Sequence, residues 1–226
     1  MVTVIARPTF AGVYPMTDAA LFIRATTPIG NHRLSTNQLF RWAREGLAGE
    51  YLVGLHGKEI ALTFLDLVSF RLISIYRAHG VPPKEIRFVH DVLRSARRWA
   101  YPFAMEPTWI AGRNILIEEA GTKVSISRGW QSALQFTEEY IVPAHRLVFG
   151  DDQQALSWEP HDGIVLNPAV DFGSPCLKDT RIATETIWAL HAAGEPNDRI
   201  ADAYSISHTQ VEAALAWERR LGFNGT

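Results

Sequence analysis

The stretch His32–Leu47, HRLSTNQLFRWAREGL, constrains the fold most, because it sets a helix start, an apolar stripe and a helix stop within sixteen residues. Ser35 and Gln38 form the S-x-x-Q pattern, in which a hydroxyl accepts from one orphan backbone N–H and an amide reaches back to another. Leu39, Trp42 and Ala43 follow at the i, i+3, i+4 spacing that lays one stripe against a core. Asn37, Gln38, Arg41 and Arg44 point elsewhere, and Gly46 supplies the stop. Amides and guanidiniums with no carboxylate before Glu45 are what base edges and phosphates require of a helix in a major groove. The same spacing also describes an ordinary amphipathic surface helix, so the flanking sequence decides between the two.

Those flanks read as a helix-turn-helix with a wing. Tyr14–Ile23, YPMTDAALFI, predicts a first helix with Thr17 or Asp18 near its start, and TTPIGNHR carries turn chemistry in Pro28, Gly30 and Asn31. After Leu47, YLVGLHGKEIALTF holds two β-prone runs joined by His56-Gly57-Lys58, the composition of a hairpin. Lys58 at its tip is placed either to touch a phosphate or to stay a solvated turn lysine. The candidate DNA contacts are therefore Arg33, Ser35, Thr36, Asn37, Gln38, Arg41, Arg44 and Lys58. Phe64–His79 predicts an amphipathic helix with Leu65, Val68, Leu72 and Tyr76 on one stripe, ended by Gly80. Pro82 and Pro83 open another, with Ile86, Val89, Leu93 and Ala96 on one face and Lys84, Arg87, Arg94, Arg97 and Arg98 largely on others. Arg94, Arg97 and Arg98 are candidate backbone-phosphate contacts, although the helix dipole explains Arg97 and Arg98 equally well.

Charge is segregated along the chain. The net charge is −2, yet Met1–Met105 carries 13 Lys/Arg against 7 Asp/Glu, while Glu106–Thr226 carries 9 against 17. The basic part suits nucleic acid, and the acidic part suits a protein partner. The single cysteine, Cys176, excludes an internal disulfide framework and argues for a buried small side chain. The eight histidines are scattered, with no H-E-x-x-H, P-loop or G-x-S-x-G, so neither an enzyme nor a metal or other cofactor is expected. With no signal-type apolar region and no run long enough to span a bilayer, the expected location is the cytoplasm, without membrane contact.

Between Thr108 and Ser127 the texture becomes β-prone, a short helix GWQSALQF follows, and RLVFGDDQQALSWEP predicts a hairpin across Gly150–Gln154. Trp109, Trp130 and Trp158 fall here, as plain core or as the lining of a ligand pocket. From Gly163 onward Thr184 is placed to cap a helix through His191. Pro196 starts a second helix to Tyr204, and Ser207 with Gln210 repeats the capping box before a third. Glu212 and Glu218 on that last helix argue against a second reading head, and Arg219 and Arg220 complement its dipole.

Two resemblances sharpen this. YPMTDAALFI, LFRWAREGL and TFLDLVSFRLISIYRAHGVPPKEIRFVHDVL resemble the winged helix-turn-helix of MerR-type regulators over most of residues 14–100. The metal-sensing cysteines and the long dimerisation helix of that family have no counterpart here. NPAVDFGSPCLKDTRIAT, AGEPNDRIADAY and VEAAL resemble the small C-terminal domain, once of unknown function, of VapB-like antitoxins. Gly173, Pro175, Lys178, Thr180 and Arg181 agree with that pattern, whereas Ser174, Cys176 and Asp179 depart from it, Asp179 where the pattern has glycine. The resemblance implies an antitoxin with two partners, operator DNA and a PIN-domain ribonuclease toxin, and symmetric half-sites imply a homodimer. A stand-alone, ligand-responsive regulator is the alternative. The motif loop reads as structural, with Arg181 holding an internal carboxylate. The expected fold is α+β, mainly α: a winged helix-turn-helix at 1–105, a β-rich connector at 106–160, and a three-helix, helix-turn-helix-like bundle at 161–226.

Overall fold

The computed structural model describes residues 12–27, 34–47, 49, 52–53, 60–78, 81–106, 108 and 146–222. The N-terminal elements follow the expected order. A two-residue strand β1 (Tyr14–Pro15) leads into α1 (Met16–Thr26), then α2 (Thr36–Arg44), β2 (Leu52–Val53), β3 (Ile60–Leu62), α3 (Phe64–Ala78) and α4 (Pro83–Arg97). β2 pairs antiparallel with β3, as the hairpin composition predicts, and β1 adds to the other edge of β3 to give the order β1-β3-β2. α1 packs on both α2 and α3.

α3 departs from the single apolar stripe expected of it. Leu65 and Tyr76 are only half-buried, while Phe64, Leu67, Val68, Phe70, Leu72, Ile73 and Ile75 are all buried, so the helix is covered nearly all round. Two buried polar residues at its start satisfy each other. Thr63 and Asp66 form a reciprocal cap: the Asp66 carboxylate accepts from the Thr63 backbone N–H at 3.1 Å and its hydroxyl at 2.7 Å, and Thr63 Oγ1 accepts from Asp66 N at 3.2 Å. The other Asp66 oxygen accepts from Gly49 N at 2.9 Å, tying the chain after α2 to α3. Arg71, 4% exposed, lays its guanidinium 4.9 Å from the Trp158 ring centroid. Burial, and secondarily Arg146, pulls its pKa down to about 9.

The second sheet carries four antiparallel strands in sequence order: β4 (Leu147–Phe149), β5 (Ala155–His161), β6 (Ile164–Leu166) and β7 (Pro175–Leu177). The β4–β5 hairpin spans the Gly150–Gln154 turn read from sequence. A boundary at residue 160/161 cuts β5, so the described part of the β-rich connector belongs to the C-terminal sheet. Ladder pairing is the reason: β5 hydrogen-bonds β4 and β6 on either side of that cut. Met105 bridges Gln154, and Glu106 N donates to Gln153 O at 2.8 Å, so the 105/106 boundary is crossed as well. Trp158 is fully buried core, while Trp109, Trp130, residues 109–127 of the expected strands and the GWQSALQF helix lie outside the described residues.

Three helices close the chain: α5 (Thr184–Ala192), α6 (Asn197–Tyr204) and α7 (His208–Leu221), mutually packed with α7 against the sheet. The fold is α+β, mainly α, with two small antiparallel sheets among the described residues. One hydrophobic core runs through both halves. Its seam is α1 against α7, where the Phe22 and Trp217 rings lie 6.0 Å apart. Arg220, in the last turn of α7 as expected of a residue complementing its dipole, also donates from Nε to Ala25 O at 2.5 Å, at the carbonyl end of α1. Among the described residues no helix is long and apolar enough to cross a membrane.

Trp217 is fully buried at this seam. Trp217→Ala is expected to cost about 3–5 kcal/mol of stability, read as a lower urea midpoint.

Candidate nucleic-acid interface and the motif loop

α2 begins where the sequence places it. The Ser35 hydroxyl accepts from Gln38 N at 3.2 Å, the hydroxyl half of the capping box. The complete box forms at α7, where Gln210 Oε1 also accepts from Ser207 N at 2.9 Å. α2 ends at Gly46, whose φ of +66° is the left-handed conformation that glycine adopts without strain. Leu39, Trp42 and Ala43 are buried, and Trp42 stacks on Phe70 of α3 with centroids 6.2 Å apart, which sets the rotation of α2.

That rotation turns Asn37, Arg41 and Arg44 to solvent, with Thr36 and Gln38 half-buried and Ser35 exposed. The Arg44 guanidinium lies over the Phe40 ring at 5.7 Å. Arg33 and Lys58 lie outside the described residues. On α4, Arg94, Arg97 and Arg98 are exposed. Arg98 forms a left-handed cap at φ +57°, and Arg97 stacks over Trp99 at 5.7 Å. Arg87, a basic position singled out for no role, reaches α2: NH1 donates to Glu45 O at 3.1 Å and NH2 to Glu45 Oε2 at 2.8 Å. The end of α2 is thereby tied to the N-terminal part of α4.

The motif loop packs against the N-terminal half. Asp171, Phe172 and Gly173 are left-handed in succession, at φ +44°, +52° and +91°. Tyr14 OH donates to Gly173 O at 2.9 Å, and a Cβ at position 173 would stand 2.2 Å from that hydroxyl. Glycine is thus required twice, by backbone conformation and by close approach. Burial drives the Tyr14 hydroxyl well above its ordinary pKa, so it stays a neutral donor. Pro175 O accepts from Thr184 Oγ1 at 3.3 Å. Lys178 Nζ pairs with Glu159 Oε2 at 2.9 Å, a hydrogen bond that holds the ammonium above its ordinary value. Thr180 Oγ1 donates to Leu177 O at 2.8 Å and accepts from Ile182 N at 3.1 Å. Asp179, where the pattern has glycine, sits at φ +62°, which explains the glycine.

Two sequence expectations fail here. Arg181 is exposed and meets no carboxylate among the described residues, because the loop is closed by Lys178 and Glu159 instead. Thr184 is not a cap: Ala183 holds that position, and the Thr184 hydroxyl donates to the buried Glu218 carboxylate. Burial pushes the Glu218 carboxyl up, against the opposing hydrogen bond from Thr184. Tyr14 and Arg87 were missed because their partners lie 159 and 42 residues away, beyond any local pattern. Asp18, Asp171, Glu185 and Glu218 line a cleft of about 380 Å³ between α1 and the loop, an acidic surface that repels phosphates.

Residues 164–217 match the family described as "Protein of unknown function (DUF433)". The match covers β6, the motif loop, α5, α6 and most of α7. The crystal structure of Rv2018 from Mycobacterium tuberculosis is similar over 89% of this chain and 96% of that chain, with a TM-score of 0.72. At 20% identity the likeness is one of fold, and it spans both halves. No curated protein matches the chain.

Gly173→Ala is expected to cost about 2–4 kcal/mol by strain and overpacking, measured by denaturant unfolding. Tyr14→Phe at the same contact should cost about 1 kcal/mol. Glu218 gives a signed pH dependence. Its folded pKa exceeds its unfolded one, so as pH rises from about 4 the unfolded chain releases this proton first and stability falls. Glu218→Gln is expected to flatten that decline in unfolding free energy against pH.

Proposed function

We propose that the chain is a DNA-binding antitoxin, whose N-terminal half grips operator DNA and whose C-terminal half holds and neutralises a PIN-domain ribonuclease. The observation that carries the DNA half is the solvent face of α2. Asn37, Arg41 and Arg44 are presented there at i, i+4 and i+7, and among the described residues no carboxylate pairs with either arginine. Asn37 and Arg41 supply the side-chain types that make bidentate contacts to adenine and guanine edges. Arg94, Arg97 and Arg98 on α4 supply phosphate contacts beside them, with Arg33, Thr36, Gln38 and Lys58 as further candidates. The toxin half rests on the motif resemblance and on the matched segment 164–217, joined to α1 through Tyr14 and Trp217. A homodimer presents two such helices to symmetric half-sites. A groove of about 510 Å³ on the open face of the second sheet, with Val148, Val165, Asn167 and Lys178 in its lining, favours a second reading as a stand-alone, ligand-responsive regulator.

Co-expression with the neighbouring open reading frame tests the toxin half. Copurification of a PIN-type protein whose RNA cleavage is blocked supports it, and a lone chain overturns it in favour of the regulator. For the DNA half, Arg41→Ala is expected to weaken binding to the protein's own upstream region by about 1–3 kcal/mol in a titration at moderate salt. Unchanged affinity removes Arg41 from the reading set.

A further inference from the structure

Glu45 lies four residues after Arg41, the spacing at which a carboxylate and a guanidinium on one helix meet. An Arg41–Glu45 pair would occupy the very donors that a guanine edge needs, and would place a negative charge on the face turned to phosphates. The structure shows a different pairing. Glu45 ends α2, and both its carboxylate and its main-chain carbonyl are taken by Arg87 from α4, at 2.8 and 3.1 Å. With side chains 42% and 44% exposed, this pair is screened by water and contributes little to folding. Its consequence lies in the surface it shapes. The carboxylate is drawn to the α4 flank, and Arg41 has no ion-pair partner among the described residues.

We infer that Arg87 is a positioning residue for DNA recognition: it captures Glu45, and so keeps the Arg41 guanidinium unpaired and ready to read a base. The inference rests on the reading of α2 as the DNA-facing helix, but its first step, the exchange of partners at Glu45, is a property of the free protein. Arg87 supplies the fork that one carboxylate oxygen and one carbonyl require, with two N–H groups pointing the same way. The main-chain contact also places a cation at the negative end of the α2 dipole, which holds the pair in register.

The test is a cycle of Arg87→Ala, Glu45→Gln and the double variant, each checked for wild-type thermal unfolding. The Arg41 side-chain Nε–H signal is followed by NMR in the free protein. Affinity is measured for a duplex selected from a randomised pool by the wild type. Arg87→Ala is expected to shift the Arg41 signal to that of a paired guanidinium and to weaken duplex binding about tenfold, with the slope of log K against log salt nearly unchanged. Adding Glu45→Gln should return the signal to its wild-type position and affinity to within about threefold of wild type, because the competing carboxylate is gone. An Arg41 signal that does not move in Arg87→Ala overturns the inference. So does a loss that Glu45→Gln fails to rescue and that lowers the salt slope by about one, the signature of Arg87 itself on a phosphate. A wild type that selects no duplex, with the Arg41 signal still moving in Arg87→Ala, overturns the DNA reading while the exchange of partners stands.

Discussion

Everything in this molecule leans on α3, and within α3 on one buried cation. A guanidinium taken out of water is costly unless its charge and its flat faces are met. Arg71 finds the Trp158 ring, which belongs to the second sheet. A helix of the N-terminal half is therefore completed by a strand of the C-terminal half. Its apolar surface is met by elements nearer in the chain: α1, β3, α4 and the turn Pro102–Ala104. The Tyr76 and His90 rings close around Phe103, and the hydroxyl of Thr27 at the end of α1 reaches Ser74.

α1 joins the two halves of the molecule. One face of α1 supports α2, whose outer face carries Asn37, Arg41 and Arg44. Its other contacts are to α7, through Phe22 on Trp217 and Ala25 on Arg220. Whatever engages the C-terminal half is thus two helices from the proposed reading face. The cleft at the seam is acidic, which disfavours phosphate at the join.

The local chemistry was legible in the sequence to the extent that it is local. Ser35 and Gly46 bound α2 as read, because capping hydroxyls and left-handed glycines act within one turn. Ser207 with Gln210, Pro196, and the hairpin across Gly150–Gln154 follow the same rule. Where the reading failed, a distant partner had taken the side chain. Thr184 left its cap for Glu218, and Arg181 yielded the loop's carboxylate to Lys178. The boundary drawn at residue 160 falls inside β5, since a change of composition marks where strands begin and not which strands they pair with.

By itself the sequence determined the elements, their order, the charge asymmetry and the face of α2 that meets water, because each depends on spacing along the chain. Only the tertiary structure decided that α3 is enclosed, that the loop glycine answers to Tyr14, and that Glu45 belongs to Arg87 and not to Arg41. Those outcomes are contests between partners far apart in sequence. Hydrogen-bond geometry and close packing settle them only when the chain is folded.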